Sequence, residues 1–262
     1  MQAGPLEGRT AVVTGAGKGI GQGIAMELAL AGASVVVNYS ASAEGAHRVC
    51  DAIVRQGGRA MVYQADVSRE EEVAALMQAA VDWTGALDIL VNNAALQANV
   101  TLPDYRMQSY DRIVQVNMLG YFLCTREAAR HMIPRQKGVI LYNSSVHAKR
   151  PTHFDPVYCM TKGGIKMLER EAAIELSQHH IRVLCMEPGG VRIDQPKSGA
   201  EGHFIDPKYL QAPRQFRYRH HHGLGRGMEP YDVGRMAVFL ASDDCELISG
   251  CEITMDGADM LF

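Results

Sequence analysis

The sequence predicts an α/β fold, a Rossmann-type doubly wound parallel sheet of about seven strands flanked by helices. Three observations predict it. Short β-branched runs alternate with longer amphipathic stretches along all 262 residues. Runs such as AVV and SVVV are continuously apolar, as strands covered by helices on both faces must be. A glycine-rich turn follows directly on the first run, where a parallel sheet passes into its first helix.

Taken in order, TAVVT near 10 gives the first strand and QGIAMELALAG the helix after it. SVVVNY near 34 and AMVYQADV near 60 give the second and third strands, and EEVAALMQAAVDWTG a further helix. LDILVNNA near 87, GVILYNSS near 138 and IRVLCMEPG near 181 continue the series. DVGRMAVFLASDD is helical, and CEITMDG near 251 closes the sheet. No linker divides the chain, so residues 1–262 are expected to form one nucleotide-binding domain. The exception to the alternation runs from about 194 to 230, rich in Pro, Gly, His and Arg, and is longer than an ordinary connection. Phe204, Ile205, Tyr209, Leu210, Phe216 and Tyr218 give it apolar area for short helices to bury, and it reads as a substrate-covering lid.

The charge balance is 26 basic against 29 acidic residues, net -3, with no basic run to track a nucleic acid. The expected partner is therefore a small molecule. Six cysteines are scattered without a CxxC, which argues for reduced, mostly buried thiols. His220, His221 and His222 are adjacent and diverge on an extended segment, and there is no HExxH, so no metal site is expected. MQAGPLEGRT lacks the order of a secretory signal and no apolar run is long enough for a bilayer; a cytoplasmic, non-membrane location is the expectation.

The turn TGAGKGIGQGIA carries Gly15, Gly17, Lys18, Gly19, Ile20 and Gly21 between strand and helix. Glycine permits positive φ and close backbone approach, and a helix N-terminus stabilises a pyrophosphate. Lys18 lacks the spacing of an ATP-binding phosphate loop. At the end of the second strand stand Asn38, Tyr39, Ser40 and Ser42, where an NAD site often carries a carboxylate for the ribose hydroxyls. With no carboxylate to repel a 2′-phosphate, and Lys18, Ser40 and Ser42 to accept one, NADP(H) is favoured, with NAD(H) the alternative. Asp66 is expected at the adenine amino group with Val67 against the ring, and Asn92, Asn93 and Ala94 at the carboxyl edge of the fourth strand.

NSSVHAKRPTHFDPVYCMTK spans 143–162. Tyrosine has a reference pKa near 10 and is a poor base without help. Lys162 is four residues beyond Tyr158, on the same helix face, where an ammonium favours the phenolate. Ser145, 13 residues before Tyr158, ends a strand and can donate to an oxygen on which negative charge develops. Tyr158 is then the proton-transfer group, and reduced nicotinamide the hydride source. Asn117 is placed to support a water or the lysine. Each residue alone has an ordinary reading as packing, cap or solvated surface; their conjunction downstream of a nucleotide turn points to a site.

These residues resemble the short-chain dehydrogenase/reductase family over nearly the whole chain: TGAGKGIG at 14–21, Asp66, NNAA at 92–95, Asn117, Ser145, YCMTK at 158–162 and PGG at 188–190. The resemblance implies an acid/base Tyr158, its partner Lys162, an oxyanion-binding Ser145, a relay Asn117, cofactor contacts at Pro188, Gly189 and Val191, and a homotetramer built through the helices of Asn117 and Tyr158. Within the family, SSVHAKRP, YCMTKGGIKML and VVVNYS are similar to bacterial glucose 1-dehydrogenases. NNAA departs from the usual NNAG, Ile193 stands where many members have threonine, Asp194 is no substitute donor when ionised, and Gln97 replaces a glutamate.

The expected activity is interconversion of a secondary alcohol and a carbonyl on a polyol, sugar or compact ketone, with Gln97, Ser145, His147, His153, Asp155 and Tyr158 as substrate contacts. Reduction of 3-oxoacyl thioesters is an alternative, for which Arg214, Arg217 and Arg219 would bind a phosphate-bearing carrier. A non-catalytic nucleotide-binding regulator is a third reading, opposed by the retention of serine, tyrosine and lysine.

Overall fold

The computed structural model describes residues 4–151, 155–193, 203–205 and 226–261. In chain order the strands are β1 (Thr10–Val13), β2 (Ser34–Tyr39), β3 (Arg59–Gln64), β4 (Ile89–Asn92), β5 (Gln97–Asn99), β6 (Gly138–Asn143), β7 (Ile181–Pro188), β8 (His203–Ile205) and β9 (Glu252–Met255). The helices are α1 (Gly19–Leu30), α2 (Ala43–Arg55), α3 (Glu70–Thr84), α4 (Met107–Val114), α5 (Gly120–Met132), α6 (Pro156–Ser177) and α7 (Pro230–Ala241). Seven strands form one parallel sheet in the order β3-β2-β1-β4-β6-β7-β9, the Rossmann-type architecture expected.

Side chains of a strand alternate between faces, and the register turns that alternation into two layers. Met61, Val36, Val12, Leu90, Ile140 and Val183 are partners in one row across the sheet. That row packs against Leu76 of α3, Tyr121 and Leu123 of α5, and Ile165 of α6. Its neighbours Val37, Val13, Val91, Leu141 and Leu184 face the other way, onto Ile24 and Leu28 of α1, Val49 of α2, and Val233 and Leu240 of α7. Burial of each such side chain contributes about 1.5–3 kcal/mol, so the sheet is held from both faces.

Helices α1 and α7 meet backbone to backbone. A Cβ on Gly23 would lie 2.3 Å from the carbonyl carbon of Pro230, and one on Gly234 only 2.5 Å from the Gly23 oxygen. The start of α7 is fixed by a reciprocal cap between Glu229 and Asp232, with Pro230 at the first helical position, where its missing N–H is not needed. α6 begins in the same way: Asp155 caps it by accepting from Tyr158 N at 3.2 Å, and Pro156 follows.

The chain builds β1, β2 and β3 outward on one side, then returns to place β4 on the other side of β1. The reversal opens a crevice at the carboxyl ends of β1 and β4, the place where such sheets bind ligands. Two features differ from the sequence expectation. Phe204 and Ile205, expected in short helices, lie in β8, which pairs in parallel with β5 as a three-residue ladder. Between α4 and α5 the backbone widens into a π turn over Gln115–Leu119, with Asn117 at its centre. The rest of the expected lid, 194–202 and 206–225, lies outside the described residues, as does His153.

Candidate active site

The turn after β1 is built on glycine where the backbone demands it. Gly15 has φ +62° and Gly19 φ +56°, both left-handed. A Cβ on Gly21 would meet the Gly15 oxygen and Asn93 Nδ2, each at 2.5 Å, so the first turn of α1 closes on the loop after β4. Thr14 Oγ1 accepts from the backbone N–H groups of Asn93 and Ala94 at 2.8 and 3.0 Å, and Asn93 Nδ2 donates to the Thr14 carbonyl at 2.8 Å. Lys18 and Ser40 are exposed, and Tyr39 and Ser42 half-buried. Ile20 packs on the buried layer beneath α1. Ile193 lies over the turn, its Cγ2 3.5 Å from where a Gly19 Cβ would be. The positive-φ glycines and the backbone left uncovered by side chains fit a bound pyrophosphate.

Three cofactor-side expectations change. Asn38 is buried, not turned toward a ribose: its Oδ1 accepts from Gly15 N at 3.2 Å and its Nδ2 donates to the carbonyls of Tyr63 and Ala65 at 3.3 and 3.1 Å. Its alignment with three backbone groups outweighs any outward rotamer, because leaving them unpaired costs about 1–3 kcal/mol each. The Val67 side chain is 5 % exposed and packs against Gly120, because the neighbouring helix gives it an apolar surface. Asp66 is already paired: Oδ1 accepts from the Ser68 backbone and hydroxyl, and Arg112 reaches Oδ2 at 2.8 Å. Burial pushes its carboxyl up, but the Ser68 hydrogen bonds and Arg112 outweigh this and hold it below its ordinary value. Arg112 was not singled out in the sequence, nor were Gln64 and Arg69, which line an open cleft of about 450 Å³ with Ser40, Asp66 and Glu72.

At the reacting end, Ser145 stands two residues beyond β6 and Tyr158 in the first turn of α6, and their side chains are hydrogen-bonded. Burial pushes the Tyr158 phenol well up; the Ser145 bond opposes this, and the Asp155 charge adds to it. Ser144, by contrast, donates to the Lys162 carbonyl at 3.1 Å and is a strut within the scaffold. Lys162 is buried, its Nζ 5.4 Å from the centre of the Tyr158 ring, and burial pushes it down to about 8. Its Nζ donates to the Asn143 carbonyl at 2.7 Å and approaches Tyr121 Oη at 3.5 Å.

Asn117 was expected to support a water or the lysine. Its side chain instead accepts from Leu96 N at 2.8 Å and donates to the Leu96 carbonyl at 2.9 Å and Thr161 Oγ1 at 3.0 Å. The π turn aims the amide at the loop after β4, and two matched backbone bonds to one residue fix it there. Asn143 was missed altogether. Its carbonyl receives Lys162 and Tyr121, and its Nδ2 donates to Asn93 Oδ1 at 2.9 Å, tying the lysine to the nucleotide turn. The only sequence signal for it is its place before the two serines.

The substrate side gathers around Tyr158. The His147 ring stands edge-on to it at 6.4 Å, with Nδ1 3.1 Å from the Arg150 carbonyl; burial lowers the His147 pKa and that carbonyl opposes the shift. Gln97 donates to Asp155. Pro188 ends β7, and Gly189 N donates to the Met255 carbonyl at 2.8 Å. Val191 bridges to Met228 beyond them. Among the described residues no cluster of His, Cys, Asp or Glu could hold a metal, and no helix is long and apolar enough to cross a membrane.

A short chain dehydrogenase family model matches residues 9–201, which include the nucleotide turn, Ser145, Tyr158 and Lys162. The chain belongs to the short-chain dehydrogenase/reductase family. It is an oxidoreductase by that membership. Elsinochrome reductase 1 of Elsinoe fawcettii is 38% identical over 255 residues, 97% of this chain and 95% of that one. Glucose 1-dehydrogenase 2 of Bacillus subtilis is 32% identical over 259 residues, 98% of this chain and 96% of its own. Among solved short-chain dehydrogenases, a putative short-chain alcohol dehydrogenase from Sinorhizobium meliloti superposes with a TM-score of 0.87 at 33% identity, covering 98% of each chain. The family likeness is thus broad, and no relative singles out glucose 1-dehydrogenase as the sequence motifs had suggested.

Proposed function

We propose that this protein is an NADP-preferring oxidoreductase that interconverts a secondary alcohol and a carbonyl, acting on a polyol, sugar or compact ketone. The observation that carries the reading is the Ser145–Tyr158 hydrogen bond with the Lys162 ammonium 5.4 Å from the phenol ring. Gly15, Lys18, Gly19, Ile20, Gly21 and the 92–95 loop would hold the dinucleotide, with Ser40 and Ser42 toward its adenosine end. When bound, its nicotinamide supplies or accepts the hydride, which no side chain can.

The residues of the chain do the rest. Ser145 Oγ donates to the substrate oxygen and stabilises charge as it develops. Tyr158 Oη gives that oxygen a proton in reduction and takes it back in oxidation. Lys162, a cation below about pH 8, favours the phenolate needed for oxidation. Gln97 and His147 border this centre and would select among substrates, whereas Asp155, expected among the substrate contacts, is buried as the cap of α6. The preference for NADP rests on Lys18 and on the absence of a carboxylate at Asn38, Tyr39 and Ser40.

A homotetramer is part of the proposal. Met160, Met167 and Ile174 are exposed at seven-residue intervals along α6, and Phe122 of α5 is exposed with Leu119 beside it. Such an apolar stripe suits a second copy of the same helices. The test is kcat/KM with NADPH and NADH over a panel of polyols, sugars and ketones, repeated with Tyr158→Phe. NADPH-favoured turnover, lost in the variant while the melting temperature holds, is the expected result; an NADH preference, or a fully active variant, overturns the corresponding part.

A further inference from the structure

Asp155 is the acid that the proposed chemistry does not use. It is fully buried at the entrance to α6, three residues before the reacting tyrosine. Its Oδ1 accepts from Tyr158 N at 3.2 Å, and the Gln97 side chain donates to the same carboxyl group. Among the described residues its Oδ2 is buried without a hydrogen-bond partner, and so is Tyr105 Oη beside it. An ionised carboxylate offers about four acceptor sites, and a buried charge with one bare oxygen is poorly compensated. A carboxylic acid with its proton on Oδ2 keeps the cap on Oδ1 and removes the charge.

We propose that Asp155 is a positioning residue for the reaction: as a neutral acid it holds the start of α6, and on ionising it opposes formation of the Tyr158 phenolate. The inference rests on the reading of Tyr158 as the acid/base group. The groups around it are consistent with such coupling. Gln97 and Tyr105 face Asp155 from the segment between β4 and α4. His147 faces Tyr158 from the turn after β6, and Cys159 and Lys162 lie on α6 itself. Burial pushes Asp155 up to about 7, against the Tyr158 and Gln97 hydrogen bonds, and its charge in turn pushes up both Tyr105 and Tyr158.

The sign follows. Below the Asp155 transition the carboxyl is neutral and Tyr158 feels no added charge. Above it, an ionised Asp155 keeps the phenol protonated, which aids carbonyl reduction and delays alcohol oxidation. The rise of alcohol oxidation with pH is thereby displaced to higher pH than an uncharged neighbour would allow.

The experiment is a pH profile of kcat/KM for alcohol oxidation by the wild type, Asp155→Asn and Asp155→Ser, since Asn and Ser both cap helices without titrating. Expected are profiles that run parallel below pH about 7 and separate above it, the variants gaining roughly three- to tenfold relative to the wild type. A carboxyl ¹³C titration of the wild type should show one aspartate with its transition near 7. Parallel profiles throughout, or only ordinary carboxylate transitions in the wild type, overturn the proposal. Should either variant fold poorly, the other and the wild-type titration decide. Failure of the underlying reading is separate, because it appears as an active Tyr158→Phe.

Discussion

The ammonium of Lys162 donates to the backbone carbonyl of Asn143 at 2.7 Å. The same residue uses its side chain to reach Asn93 Oδ1, so one position at the end of β6 joins the reacting helix to the nucleotide turn. Asn143→Ala keeps the carbonyl but strips the side chain, leaving Asn93 Oδ1 with its partner gone. The expected outcome is a loss of about 1–3 kcal/mol in stability. KM for the cofactor should rise more than kcat falls, read by thermal melting and steady-state kinetics.

Lys162→Ala removes the buried cation and leaves the Asn143 carbonyl with Tyr121 alone. Turnover should fall by about 10²–10⁴-fold, the scale of losing assisted proton transfer. Because Lys162 acts through Tyr158, the double variant with Tyr158→Phe should be hardly slower than Tyr158→Phe itself. Additive losses would separate their roles.

Glu169 makes a prediction about stability. It is buried on α6 with neither carboxyl oxygen hydrogen-bonded among the described residues, near Glu187 and Glu252, which are themselves paired with Lys149, Lys166 and Arg170. Burial, then the Glu252 charge, pushes it up to about 7, with Arg170 and Lys166 opposing. The folded state therefore holds a proton that the unfolded chain releases, and stability falls as pH rises from about 4.5 to about 7. Glu169→Gln should raise the melting temperature at pH 8 and change it little at pH 5. Discounted for screening by solvent and the neighbouring cations, the gain is on the order of 1–2 kcal/mol. Equal shifts at both pH values would contradict this.

The contact of α1 with α7 leaves no room for a methyl group. Gly23→Ala drives a Cβ into the Pro230 carbonyl, and about 1–3 kcal/mol of stability should be lost as the helices separate. Chemical denaturation should report the loss without a matching fall in kcat.

The sheet was legible because β1, β2, β4, β6 and β7 are apolar in sequence and buried on both faces, so their pattern does not depend on which neighbour they meet. Ser145, Tyr158 and Lys162 were legible for a related reason: a strand end and a helical i, i+4 spacing are local geometry. What escaped depends on register between distant segments. Asn38, Asn93 and Asn143 take side-chain partners from segments 23 to 79 residues away, and an asparagine carries no mark of whether it faces ligand or scaffold. β5 and β8 are three residues each, too short for any periodicity, and the burial and hydrogen bonds that set the ionisation of Asp155 leave no mark in the sequence.

For anyone wishing to change the redox cofactor, the Asn38 brace sets a rule. Installing a carboxylate at the end of β2 is the obvious way to favour ribose hydroxyls over a 2′-phosphate. At position 38 it would delete the donor that serves Tyr63 and Ala65 and set a negative charge against their carbonyls. Asn38→Asp would loosen the scaffold before it altered the choice of ligand. Tyr39 is half-buried and reaches the surface, so a redesign of this enzyme for a different electron carrier should begin one residue further along the chain.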